Sequence, residues 1–174
     1  MILILIFLHF LAASIFGDPH LITFDRFNYT FEGKGEFVLV HADNPVHKLD
    51  VHGRFEQRSP STNSTHLAAI AMRDNVSSIV EFRVRPTAAR WQYHMFIIAD
   101  KEYYFFWDTN MRSINLRGVT LYQPAGIRNM SHVIAMFDSG AGVEVLVSPQ
   151  GSLKLHVYLP NTYVNITKGL LGKI

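Results

Sequence analysis

The 174-residue chain contains no cysteine. No disulfide can form, so the fold must stand on its apolar core. The same absence excludes a cysteine nucleophile, an iron–sulfur cluster and a thiolate zinc site. An excess of one charge is also missing. Sixteen Lys and Arg against fourteen Asp and Glu leave a formal net charge of +2, with no basic run, which argues against nucleic acid as the partner. Nine histidines are present, but none is spaced as H-E-x-x-H. A G-x-S-x-G elbow is absent, which removes the ordinary serine-hydrolase signature. Helical periodicity is scarce, and H-L-A-A-I-A-M (residues 66–72) is a short, weak helix candidate. The longest apolar stretch at the N-terminus, residues 2–8, is shorter than the roughly 20 residues a membrane span needs.

What the sequence does contain is period-2 alternation. In K-L-D-V-H-G-R-F-E-Q, Leu49, Val51 and Phe55 alternate with Asp50, His52, Arg54 and Glu56. Val80, Phe82 and Val84 alternate with Glu81, Arg83 and Arg85, and Leu153, Leu155, Val157 and Leu159 with Lys154, His156 and Tyr158. Each run predicts a strand with one wet face. The aromatics Phe27, Tyr29 and Phe31 share one face, and Asn28 and Thr30 take the other. E-F-V-L-V-H-A, H-M-F-I-I-A-D and Y-Y-F-F-W-D are apolar on both faces and read as central strands. On that reading Tyr103, Tyr104, Phe105, Phe106 and Trp107 belong to the core. Turn-like breaks separate the runs, among them E-G-K-G, R-S-P-S-T-N-S-T, D-S-G-A-G and the hairpin signal S-P-Q-G. The expected architecture is all-β, a two-sheet antiparallel sandwich of about ten to twelve strands.

Residues 1–16 read as a signal peptide or as the accidental leader of a gene model, and residues 17–174 as the domain. A cut after Ser14 would place Ala12 and Ser14 at the small-residue positions. Five N-x-S/T sequons, at Asn28, Asn63, Asn75, Asn129 and Asn165, lean toward the secretory route and mark candidate glycosylation sites.

Three constellations could carry chemistry. The first is G-D-P-H, residues 17–20. The Asp18 carboxylate can attack its own carbonyl carbon and expel the basic Pro19 nitrogen, with His20 as a proton source near neutral pH. The plainer alternative is a linker ended by Pro19 at the first position of a strand. The second is Asp25, one oxygen donor for a hard cation such as calcium, or simply an Asp in a tight turn. The third is F-D-S-G-A-G, residues 137–142, which has the form of an aspartic-protease loop around Asp138. That chemistry needs two such carboxylates, hence a homodimer; the alternative is a glycine-rich hairpin.

G-D-P-H-L-I-T-F-D, N-Y-T-F-E-G-K-G-E-F-V-L-V, V-H-G-R-F-E-Q and the closing K-G-L-L-G together resemble a von Willebrand factor type D domain. The likeness is narrower to the branch found in transmembrane epithelial-junction proteins and membrane-bound mucins. The resemblance implies a non-enzymatic domain, cleavage between Asp18 and Pro19, and a calcium-ligand role for Asp25. Further ligands would follow the G-L-L-G turn, so the ending at Ile174 is expected to be a C-terminal truncation. The lack of cysteine departs from most of the family and excludes disulfide polymers. The expected function is an extracellular adhesion or scaffold module at epithelial junctions, with extracellular or cell-surface proteins as partners and a membrane anchor only in a longer parent. A self-processing module is the second reading, and a homodimeric aspartic protease using Asp138 the third.

Overall fold

A computed structural model describes residues 10–43, 48–86, 93–106, 112–124 and 131–172. The strands are β1 (Phe10–Phe16), β2 (His20–Ile22), β3 (Asn28–Thr30), β4 (Gly35–Asp43), β5 (Lys48–Gln57), β6 (Thr65–Asp74), β7 (Val80–Pro86) and β8 (Tyr93–Ala99). They continue as β9 (Glu102–Tyr104), β10 (Ser113–Leu116), β11 (Val119–Tyr122), β12 (His132–Phe137), β13 (Gly142–Val147), β14 (Leu153–Pro160) and β15 (Thr167–Lys168), with a short 3-10 helix at Asn161–Tyr163. The all-β sandwich is as expected. The described strands number fifteen because several short edge and hairpin segments are too brief to show periodicity. Residues 66–72, the weak helix candidate, lie in β6.

One sheet has the order β10-β11-β12-β13-β14-β1-β2-β3, the other β15-β4-β5-β6-β7-β8-β9, and the pairings are antiparallel. Period-2 sequences put one side of each strand inward. Along β14, Leu153, Leu155, Val157 and Leu159 are buried, as are Leu49, Val51 and Phe55 of β5. The two inner faces form one apolar core, with β14 meeting β6 and β13 meeting β8. Phe31, just past β3, joins Phe37 of β4 and Phe55 of β5 in edge-to-face contacts at 4.8 and 5.2 Å.

The outward face of the second sheet is polar. Asp50 accepts from His41 (2.7 Å) and from Arg73 (3.4 Å) across β4, β5 and β6. Burial pushes the Asp50 carboxyl up, but these two partners outweigh it and hold it below the usual carboxylate value.

The boundary expected after residue 16 coincides with the end of a strand. Residues 10–16 form β1, which pairs with β14 from Phe10↔Pro160 to Ile15↔Leu155 and with β2 from Ser14↔Ile22 to Phe16↔His20. A cut after Ser14 would sever this strand. Ala13 and Ile15 face the core, whereas the apolar Ala12 and Phe16 lie on the exposed side. One expectation is corrected: the aromatic run is no central strand. β9 is an edge strand, Tyr103 is 60% exposed, and Tyr104, Phe105 and Phe106 are half-buried. Trp107 lies outside the described residues. Phe27 is exposed too, whereas Tyr29 and Phe31 pack inward.

Ile15 of β1 is fully buried. Ile15→Ala is expected to destabilise the domain by about 2–4 kcal/mol, read as a lowered denaturation midpoint in urea; an unchanged midpoint would place residues 10–16 outside the folded unit.

Candidate functional site

The G-D-P-H residues form the turn of the β1–β2 hairpin. Phe16 pairs with His20, leaving residues 17–19 to reverse the chain. Gly17 takes φ +69°, the left-handed conformation glycine tolerates best. Pro19 is buried, and its carbonyl accepts from the Phe31 amide at 3.1 Å. Asp18 is exposed and turns toward the other sheet. Its Oδ1 accepts from Arg58 Nε at 3.0 Å, and Arg58 Nη1 donates to the Gln150 carbonyl at 3.3 Å. Arg58 sits just past β5 and Gln150 in the S-P-Q-G turn between β13 and β14, so one guanidinium ties three turns together. The His20 ring packs beside Gly17, and its Nδ1 is 3.1 Å from the Thr30 hydroxyl, on the neighbouring strand. Asp18, Pro19 and His20 thus share one turn, with Asp18 paired to Arg58 and His20 Nδ1 to Thr30.

His66 of β6 completes this corner. Burial pushes its imidazole below the ordinary value, and the adjacent Arg58 guanidinium pushes it the same way. Neither Arg58 nor His66 was singled out by sequence reading. Arg58 lies 40 residues from Asp18 in sequence, and only the sheet topology brings them together.

Asp25 occupies the turn between β2 and β3. The Thr23 hydroxyl donates to its carboxylate, and the Thr23 amide and hydroxyl both engage Phe27. Arg26 takes φ +67° to close the turn. The turn is braced by the G-L-L-G segment: the Phe24 amide donates to the Leu171 carbonyl (3.2 Å) and the Tyr29 hydroxyl to the Leu170 carbonyl (2.5 Å). Calcium takes six to eight oxygen ligands. Among the described residues no group of three or more His, Cys, Asp or Glu could hold a metal.

F-D-S-G-A-G is the hairpin between β12 and β13. The Phe137 amide donates to Ala141 O (2.9 Å), and Gly140 takes φ +83°. Asp138 is exposed at the tip, and its amide is bonded to Gly118 O. This hairpin packs by Pro160, where β14 ends, whereas the G-D-P-H turn lies where β14 begins. Tyr163 of the 3-10 helix is fully buried, and burial pushes its phenol up.

Of the sequons, Asn28, Asn63, Asn75 and Asn165 are exposed. Asn28 is on edge strand β3, and Asn165 immediately precedes edge strand β15. Asn129 lies outside the described residues.

The folded state favours neutral His66, so the unfolded chain takes up a proton there that the folded chain refuses as pH falls through the ordinary value of 6.5. Stability should fall over that range, by at most about 1.4 kcal/mol per pH unit from this group. His66→Gln is expected to flatten that part of the stability–pH curve; an identical slope in the variant would refute the assignment.

The von Willebrand factor type D domain profile matches residues 13–174. Protein mesh of Bombyx mori is 46% identical over 165 residues, covering 92% of this chain and 10% of that protein. Human sushi domain-containing protein 2 is 36% identical over 93% of this chain and 19% of its own length. Human mucin-4 is 32% identical over 92% of this chain and 3% of its own length. The chain thus spans a fifth or less of each of these relatives. The profile runs from within β1 through the G-L-L-G segment, and the chain belongs to the von Willebrand factor type D domain family.

Proposed function

We propose that this domain is a non-catalytic adhesion or scaffold module on the extracellular side of an epithelial cell-surface protein, and that it acts at cell junctions by binding other extracellular or cell-surface proteins. The observation that carries this reading is the outer face of the larger sheet. One register row runs Ser113, Tyr122, Ile134, Glu144, His156, Ser14, Ile22, Asn28 across all eight strands. Beside it Met136, Tyr158 and Phe16 are 39%, 37% and 37% exposed. Glu144 fixes the surface by bonding His132 (2.6 Å) and Tyr158 (3.1 Å). A broad, rigid, partly apolar face with polar groups at fixed places suits a protein partner. Sugars on Asn28 and Asn165 would shield the β3 and β15 edges from strand pairing with other chains. With Met136 and Tyr158 both changed to Lys, binding of the purified domain to epithelial cell surfaces should weaken at least tenfold, at the scale of lost interface anchors, without a change in melting temperature. Undiminished binding would remove this face from the proposal.

A second reading, self-cleavage at Asp18–Pro19, is favoured by the exposed turn that holds the bond. An Asp18 carboxylate oxygen bonds to the Asp18 carbonyl carbon, the C–N bond to Pro19 breaks, and the Pro19 nitrogen takes a proton from water or from His20. Water then opens the cyclic anhydride to two carboxyl groups. The upstream piece would keep β1 paired with β14 and β2. In the parent protein with its upstream sequence, Asp18→Asn should abolish the cut. The two parental fragments should co-elute in native buffer and separate in denaturant. Equal cutting in the variant would refute self-cleavage.

A further inference from the structure

We propose that Arg58 is a positioning residue that restrains self-cleavage, by holding the Asp18 carboxylate in an ion pair that must be given up as the bond is cut. The inference rests on the cleavage reading above and adds a control to it. Arg58 is the more fixed of the two partners. Its side chain is 28% exposed against 58% for Asp18. A second contact ties Arg58 to the Gln150 carbonyl, and its own amide donates to Ser64 O at 3.3 Å. The acid is thus brought to a guanidinium anchored between the β5–β6 loop and the β13–β14 turn. Lys and Arg side chains within 4 Å of the Asp18 carboxylate, among the described residues, reduce to Arg58.

The chemistry gives the sign. In the reactant, Asp18 carries a full negative charge facing Arg58. As its oxygen bonds to the peptide carbonyl carbon, that charge passes to the former carbonyl oxygen and then, with a proton, to the departing Pro19 nitrogen. The anhydride carries no charge on the former carboxylate. The attraction to Arg58 is therefore stronger in the reactant than along the path, and an interaction of that kind raises the barrier. The loop that carries Arg58 also carries Asn63, so a sugar or partner that displaces this loop would release the restraint.

The test uses the parent protein with its natural upstream sequence, followed by pulse-labelling and denaturing gels. Arg58→Ala and Arg58→Gln should be cut roughly two- to fivefold faster than the parent, the size expected of a part-exposed ion pair. Arg58→Lys, which keeps the charge, should stay near the parental rate, and Asp18→Asn should remain whole. Faster cutting in Gln but not in Lys separates lost charge from a loosened turn, and melting temperatures check the fold of each variant. If Arg58→Ala is not secreted, the Gln and Lys pair decides. Slower or unchanged cutting in Arg58→Gln, with Asp18→Asn whole, overturns the restraint and leaves self-cleavage standing. Equal cutting of Asp18→Asn, or no cutting in any form, overturns both.

Discussion

Apolar contact between the two inner faces is what joins the sheets, because no covalent bridge is available to do it. Each fully buried Leu, Val or Phe side chain contributes about 1.5–3 kcal/mol relative to exposure, and the interior is built from many of them. β14 is the clearest case. It pairs with β13 on one side and β1 on the other, and its Leu and Val residues face the opposite sheet. The outer faces are then free to carry charge, hydroxyl and imidazole groups, since they contribute little to cohesion.

A polar lock supplements the core at one edge. β4 carries a bulge between Val38 and Val40. The Val38 and Leu39 carbonyls accept from the Leu170 and Leu171 amides at 3.0 and 2.8 Å. Gly169 makes the approach possible: it takes φ +99°, and a Cβ there would lie 2.7 Å from the Leu39 oxygen. The Leu171 and Leu170 carbonyls in turn receive Phe24 N and Tyr29 Oη from the other sheet's turn. The T-F-D and G-L-L-G segments, far apart in sequence, are thus two halves of one brace. Sheet edges are kept short as well, with β15, β3 and β9 spanning two or three residues each, which limits pairing with foreign strands.

Alternation made β5 and β14 readable from sequence, since each has one buried and one wet face. The S-P-Q-G turn was readable for the same local reason, and the Ser148 amide donates to Ser152 O at 2.8 Å. β1 was not. Its outward residues Ala12 and Phe16 are apolar although exposed, so the strand does not alternate, and composition alone does not separate it from an export leader. The aromatic run of β9 misled because side-chain size signals burial only when the strand is interior. At the candidate site the turn itself was legible from Gly17 and Pro19. Its partners Arg58 and Gln150 were not, because their approach follows from strand order and not from any local pattern.

The position of β1 also determines what a break in the chain would mean. Departure of β1 would open two unpaired edges inside the larger sheet, on β14 and β2, and expose the fully buried Ile15. It would regain backbone entropy of about 1–2 kcal/mol per freed residue, but at the loss of two ladders of hydrogen bonds and a share of the core. The link at Asp18–Pro19 carries little of this, since the turn is exposed and the strand is held sideways by its neighbours. Connectivity and cohesion are thus separable at this one turn. A domain that relies on lateral pairing and apolar packing can lose a peptide bond there and keep the outer face of the larger sheet intact for a partner.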